Sequence, residues 1–508
     1  MGSAYIMVVL GIVLAKGIGF LREVVFSSSF GTSVYADIYL QVFNIVNLIF
    51  AGIGVALSTL VIKNMNKPEN AGHEKNYAAS FIRKSFVCFS AVALLFIVFA
   101  EPLITKVLLP GLSKEYIDLA IKQVYIMAPS LVFVVIAYII SGVLQNEKVY
   151  FVTAIMSLPF NAVIIASLLF TNISLTSVSV VTTIGWFLHI AILLPSFFKK
   201  GYSFTAKQVK TKLSKSKNPE IVWIFVSNMM YQLVFYTDRA FVSSTEGMAS
   251  TFGYASNLFV IVASIFVVAM STVFFPSISK NYEEGHIDYI NSLLRYIITV
   301  MVAIFTPFLL VVGLFGRDII RLVYERGDAF TSESTLAVSA VLFIYSLGIL
   351  GYITQELFNK ILYTAGRYKM CVFGTVGVIL LNFGANKIIS EFCPKTAFMN
   401  TTLSLDTALY AISSSFLLFL YALVISFEIK KVVGAYWKRD LLTDIAKIFL
   451  CSALAFVCYF VFNKFAPTLT HGKVSFVIVL CACGAVYIVT LFLSGVLMKL
   501  IKRKGTEQ

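Results

Sequence analysis

Charge is what this sequence has least of. Only 13% of its 508 residues are Asp, Glu, Lys or Arg, roughly half the share of a water-soluble chain. With 59% apolar residues and a mean hydropathy of +0.89, too little polar surface remains to face water. A soluble enzyme, an extracellular disulfide scaffold and a disordered chain are all excluded. Histidine is scarce too: His73, His189, His286 and His471 are too scattered to form a site. No HExxH stretch and no Gly-x-x-x-x-Gly-Lys-Ser/Thr loop occurs, so the chain encodes neither a zinc-protease helix nor an ATP drive. Its seven cysteines, Cys88, Cys371, Cys393, Cys451, Cys458, Cys481 and Cys483, fall mostly inside apolar runs without metal-ligand spacing. They read as small apolar residues. Also missing are the alternating segments of about ten residues that build a membrane β-barrel. With no long polar stretch to house an active site, a transporter is expected rather than an enzyme.

What the chain does have is long apolar runs. A bilayer-spanning helix needs about 20 apolar residues, and fourteen runs qualify: 5–26, 35–62, 81–99, 121–144, 149–170, 178–198, 221–242, 252–275, 296–315, 336–363, 370–389, 408–427, 445–465 and 474–500. The expected fold is therefore all-α and polytopic. The run from Tyr5 onward is read as a first span rather than a signal peptide, because no basic leader precedes it.

The net charge of +15 does not point to nucleic acid, because its carriers sit in short loops. With a cytoplasmic N-terminus, 26 of the 40 Lys and Arg residues fall in or beside inner loops and 9 in outer ones. The positive-inside rule then places both termini in the cytoplasm. The most basic segment, 199–219, carries Lys199, Lys200, Lys207, Lys210, Lys212, Lys215 and Lys217. It reads as a linker between lobes that can also touch anionic lipid.

The chain repeats itself. Ala56-Leu57-Ser58-Thr59-Leu60-Val61 ends span two, and Ala269-Met270-Ser271-Thr272-Val273-Phe274 ends span eight. Each follows a basic residue and a Ser pair, Arg22 with Ser28 and Ser29, then Arg239 with Ser243 and Ser244. The expected organisation is an N-terminal lobe (1–198), the basic linker (199–219), a related second lobe (220–428) and two appended spans with a basic tail (429–508). Parallel repeats around a central cavity are a secondary-transporter arrangement.

Ionisable groups inside spans are expensive and mark function. Span one carries Lys16, Arg22 and Glu23, and span two carries Asp37. Counted from the turn at Gly31, Arg22 and Asp37 lie at roughly 13 and 9 Å of depth at 1.5 Å per residue, so the two can meet. Lys16 and Arg22 together suggest a cationic patch for an anion, most simply a diphosphate. Asp238 in span seven, with Asn382 and Asn386 one turn apart in span eleven, offers oxygen ligands that suit a hard cation such as Na⁺. The other reading of these three is interhelical hydrogen bonding.

Several stretches resemble the MurJ (MviN) family of lipid-linked flippases, within the multidrug/oligosaccharidyl-lipid/polysaccharide exporter superfamily. They are Ala15-Lys16-Gly17-Ile18-Gly19-Phe20-Leu21-Arg22-Glu23, Phe30-Gly31, Asp37, Pro110-Gly111-Leu112 and Tyr324-Glu325-Arg326-Gly327-Asp328-Ala329-Phe330. Gly253-Tyr254-Ala255-Ser256-Asn257-Leu258 and Phe275-Pro276-Ser277-Ile278-Ser279-Lys280 complete the set. The likeness runs over about residues 1–430. It implies two six-helix lobes around a cavity, with two C-terminal helices that hold a lipid tail. It further implies a bacterial plasma-membrane protein, working as a monomer, that moves lipid II from the inner to the outer leaflet by alternating access. Lys16, Arg22, Glu23, Asp37 and Asn257 would line the cargo site. No cofactor is implied; Na⁺ as a coupling ion is expected only from Asp238, Asn382 and Asn386. The sequence departs from the family where Lys16 and Asn257 replace arginines, and where span two lacks an arginine altogether. Two alternatives stay open: a flippase for another lipid-linked polysaccharide intermediate, and a cation-coupled multidrug exporter. Cationic drugs call for carboxylates and aromatics in the cavity, whereas phosphate calls for cations.

Overall fold

The computed structural model describes residues 2–170, 174–205, 223, 233–398, 403–465 and 475–504. These are helical almost throughout, and the β-structure among them is one isolated bridge between Ala397 and Ser404. Continuous apolar runs dictate this, because backbone groups in hydrocarbon must be satisfied within their own segment. Among the described residues, nine helices are long and apolar enough to cross a membrane, or ten if the pair Ser332–Leu347 and Ile349–Thr364, bent by 48°, counts as one span. Leu158–Phe170 and Ile478–Leu493 are shorter apolar helices. The protein is a multi-pass membrane protein. Each expected span coincides with a helix or an interrupted helix, except 221–242, which lies mostly outside the described residues, as does most of the basic segment 199–219.

By proximity the chain forms two compact units. The first comprises Met1–Tyr254, Arg321–Thr335 and Asn386–Cys393. At its centre the Lys114–Asn146 helix packs against Ala51–Met65, Glu74–Val98 and Leu175–Ala191. Glycine permits the tightest of these approaches: a Cβ on Gly142 would lie 2.4 Å from the Ser58 Oγ. Span two is not one regular helix. Val34–Asn44 passes through a π-helical turn, Ile45–Phe50, into Ala51–Met65, and such turns shift side-chain register partway along a helix. The Gly2–Phe30 helix lies on Leu158–Phe170, which sets the surroundings of Arg22.

The second unit comprises Ala255–Ile320, Leu336–Ala385 and Pro394–Gln508. Here Ile349–Thr364 packs on Leu405–Val433. The bend at Gly348 brings the backbones close enough that a Cβ there would meet the Ser415 Cα at 2.9 Å. The C-terminal helices Arg439–Phe465 and Ser475–Leu493 pack on each other. The Tyr487 hydroxyl ties the latter to the Ile287–Val323 helix by donating to the Ala303 carbonyl at 2.6 Å.

Candidate functional site

Arg22 projects from the Gly2–Phe30 helix and is half-buried. Its guanidinium carbon lies 4.6 Å from the Phe43 ring centroid and 5.6 Å from that of Phe160. No hydrogen bond or ion pair holds Arg22 among the described residues. Lys16, on the same helix, is exposed and likewise has no partner among them. Neither side chain makes an ion pair among the described residues, though the neighbouring Glu23 carboxylate interacts electrostatically with Arg22. The planar guanidinium fork in particular matches phosphate oxygens.

The meeting of Arg22 with Asp37, expected from depth along the helices, does not occur. Asp37 is 2% exposed and accepts the Gly247 backbone N–H at Oδ2 (2.8 Å) and that of Ser250 at Oδ1 (2.5 Å). These amides open the Met248–Val273 helix, where the first N–H groups lack intrahelical acceptors. A carboxylate there is stabilised by the hydrogen bonds and by the helix dipole together. Depth alone gave the wrong partner because it does not fix which way Asp37, in the first turn of Val34–Asn44, faces. Glu23 also departs from expectation. Expected to line the cargo site, it is buried and accepts the Tyr324 hydroxyl at 2.5 Å.

These contacts belong to one dense plug. Residues 23–37 meet 243–254 and 324–335, all within the first unit. The Tyr254 hydroxyl donates to the Gly31 carbonyl at 3.0 Å, and the Thr32 and Ser334 hydroxyls lie 2.6 Å apart. Tyr254, Tyr324 and Phe330 pack ring to ring at 5.0–5.8 Å. Gly31 has φ +55, and a Cβ on it would sit 1.9 Å from the Ala329 carbonyl oxygen. Glycine is required there by conformation and by space. Gly247, with φ +77, meets the Thr32 carbonyl in the same way. Polar bonds and packed rings thus join these three segments of the first unit.

The expected cation ligands are placed as follows. Asp238 and Asn386 are fully buried, and the Asn386 Nδ2 donates to the Asp238 Oδ1 at 2.9 Å. The Asn386 Oδ1 has no donor among the described residues. Asn382, one turn earlier on the Tyr368–Phe392 helix, belongs to the second unit, where its Oδ1 accepts from the hydroxyls of Ser413 (3.3 Å) and Ser414 (3.2 Å). Asn257, also in the second unit, is half-buried.

Residues 26–501 match the family model described as lipid II flippase MurJ. The chain belongs to this family. Among its relatives, a probable lipid II flippase MurJ of Rickettsia prowazekii (strain Madrid E) is 25% identical over 394 residues, 74% of this chain and 76% of the relative. A solved structure of lipid II flippase MurJ in an inward closed conformation covers 97% of this chain and 100% of that one, with a TM-score of 0.77 at 21% identity. An inward-facing multidrug resistance MATE transporter of the MOP superfamily is similar at a TM-score of 0.68 and 13% identity, over 83% of this chain and 95% of that one. MurJ membership makes the protein a transporter rather than an enzyme. The stretch Tyr324–Phe330, through which the sequence resembles MurJ, turns out to supply two rings of the plug and the carbonyl against Gly31. Sequence reasoning missed Phe43 and Phe160, which face Arg22. In a chain with 46 phenylalanines, nothing sets those two apart until the fold does.

Proposed function

We propose that the protein flips an undecaprenyl-diphosphate-linked saccharide, lipid II, from the inner to the outer leaflet of the bacterial plasma membrane. Arg22 carries this reading. It is a half-buried guanidinium in a membrane helix that makes no ion pair or hydrogen bond among the described residues, and a cation left so in hydrocarbon calls for an anionic ligand. MurJ membership supplies the lipid-linked class of cargo. Lys16, six residues away and exposed, would meet the same diphosphate as a point charge. The prenyl tail would lie along the helices Arg439–Phe465 and Ser475–Leu493.

In this reading both termini are cytoplasmic, the plug is the outer gate, and a single chain does the work. Arg22 and Lys16 take the diphosphate while Asp37 keeps the gate shut by holding Gly247 and Ser250. Export requires those bonds to open. Cargo can drive that change only if it binds the two states unequally. Na⁺ is proposed as the coupling ion. Asp238 would supply the charge, and the Asn386 Oδ1, which has no donor among the described residues, a second oxygen once the amide turns its N–H away from the carboxylate. Bound there, the ion would supply a positive charge that biases one state.

The deciding experiment is depletion of the protein in its native cell, followed by a leaflet-resolved assay of lipid-linked precursors. Lipid II should accumulate on the inner leaflet. Accumulation of a different lipid-linked polysaccharide intermediate, with lipid II exported normally, would replace the cargo.

A further inference from the structure

We propose that Phe43 and Phe160 are positioning residues for cargo recognition: their ring faces hold the Arg22 guanidinium in place while leaving its N–H donors for a diphosphate. The inference rests on the reading of Arg22 as the diphosphate ligand.

An arginine inside a membrane protein is ordinarily fixed by a carboxylate. That solution would fail here, because the carboxylate would occupy the donors a phosphate needs and cancel the charge that attracts it. The nearest acids in sequence do not hydrogen-bond Arg22, although the Glu23 carboxylate acts on its charge through space. Glu23 accepts from Tyr324, and Asp37 accepts from Gly247 and Ser250. A π-face attracts a cation through its quadrupole and takes up no N–H group. The rings at 4.6 and 5.6 Å from the guanidinium carbon can therefore orient Arg22 without neutralising it.

The rings are themselves held. Phe43 and Phe160 are 2% and 3% exposed. They stack on each other at 6.2 Å with planes 15° apart. Phe43 also stacks on Tyr39 at 5.6 Å. Phe160 rests against Trp186 at 4.5 Å, and Trp186 stacks on His189 at 5.1 Å. A wall locked by packing lends its rigidity to the side chain placed on it, and pre-organisation of this kind strengthens binding by reducing what must be ordered later. Lys16 is exposed and faces no such ring among the described residues. The two cations differ in kind: Arg22 lies on a packed aromatic wall and Lys16 does not.

Replacing a ring with alanine would open a cavity, so the test keeps the shape and changes the electronics. Phenylalanine with one, two or three ring fluorines, incorporated at position 43 and separately at 160, weakens the quadrupole stepwise with little change in size. Binding of undecaprenyl diphosphate is then measured on the full-length protein in nanodiscs. Dissociation constants should rise with each fluorine, reaching about tenfold at three, which is ~1.4 kcal/mol, at unchanged thermal midpoint. A flat series, or tighter binding, at both positions overturns the inference. Arg22→Gln is measured alongside. If it binds undecaprenyl diphosphate as wild type does, the reading of Arg22 as ligand fails, and the inference with it. If it loses binding while both series stay flat, that reading stands and the positioning role alone is refuted.

Discussion

Asp37 caps a helix that begins 211 residues later in the chain, its carboxylate spanning the backbone N–H groups of Gly247 and Ser250. A hydrogen bond to a charged group contributes about 1.5–3 kcal/mol. Asp37→Asn removes the charge and leaves one oxygen to serve two donors. The closed plug should lose about 1–3 kcal/mol. A disulfide reporter reads this: with Thr32→Cys and Ser334→Cys, whose parent hydroxyls lie 2.6 Å apart, cross-linking should be efficient and should arrest transport until reduced. Adding Asp37→Asn should slow the cross-linking. An unchanged rate would mean that the capping bonds do not hold the plug shut.

Gly31→Ala tests the same closure by sterics alone. At φ +55 an alanine pays about 1–2 kcal/mol for its backbone, and its methyl group would overlap the Ala329 carbonyl. The variant should insert in the membrane normally, because the Gly31 turn is needed for the plug and not for the spans. In the Thr32/Ser334 cysteine background its cross-link should disappear. Cross-linking at the parental rate would show that the plug tolerates a displaced turn.

How far the sequence reached follows from what periodicity can encode. Apolar run length located the helices, and bends such as that at Gly348 cost nothing in the count because both arms remain apolar. Charge located Arg22, Glu23, Asp37 and Asp238 as residues that must be explained, since each is expensive in a span. It could not name their partners. The N–H groups that Asp37 accepts belong to backbone, which carries no sequence signature, and the rings beside Arg22 are two of many. Partner choice was set by helix azimuth and by contacts between segments hundreds of residues apart, which a one-dimensional reading lacks.

Orientation has a direct check. A single cysteine within 199–219, in a background without the native cysteines, should resist an impermeant thiol reagent in intact cells and react once the membrane is opened. Efficient labelling from outside would invert the assigned topology, and the plug would then be an inner gate.

The cation site makes a separate claim. Asp238→Asn keeps the hydrogen bond from the Asn386 amide possible but removes the charge that would bind Na⁺. Transport by the wild type should fall when Na⁺ is replaced by choline, and the variant should lose that dependence. If the wild type works equally well in choline, Asp238 and Asn386 are reduced to a buried interhelical hydrogen bond.

Lys16 gives the cleanest test of the cargo grip. Arg22→Ala would strip the rings of Phe43 and Phe160 of their cation and open a gap beside them, so a null phenotype there could reflect packing. Lys16 is exposed, with no partner among the described residues, and its removal should leave stability within about 0.5 kcal/mol. Lys16→Ala should therefore reach the membrane at wild-type levels yet fail to support growth when it is the only copy. Lys16→Arg keeps the charge and adds a fork suited to phosphate, so it should retain activity. The comparison separates charge from shape, because alanine and arginine differ from lysine in opposite directions and only one of them removes the cation. Should Lys16→Ala flip cargo at the wild-type rate, the exposed cation has no part in binding, and Arg22 on its aromatic wall must hold the diphosphate unaided.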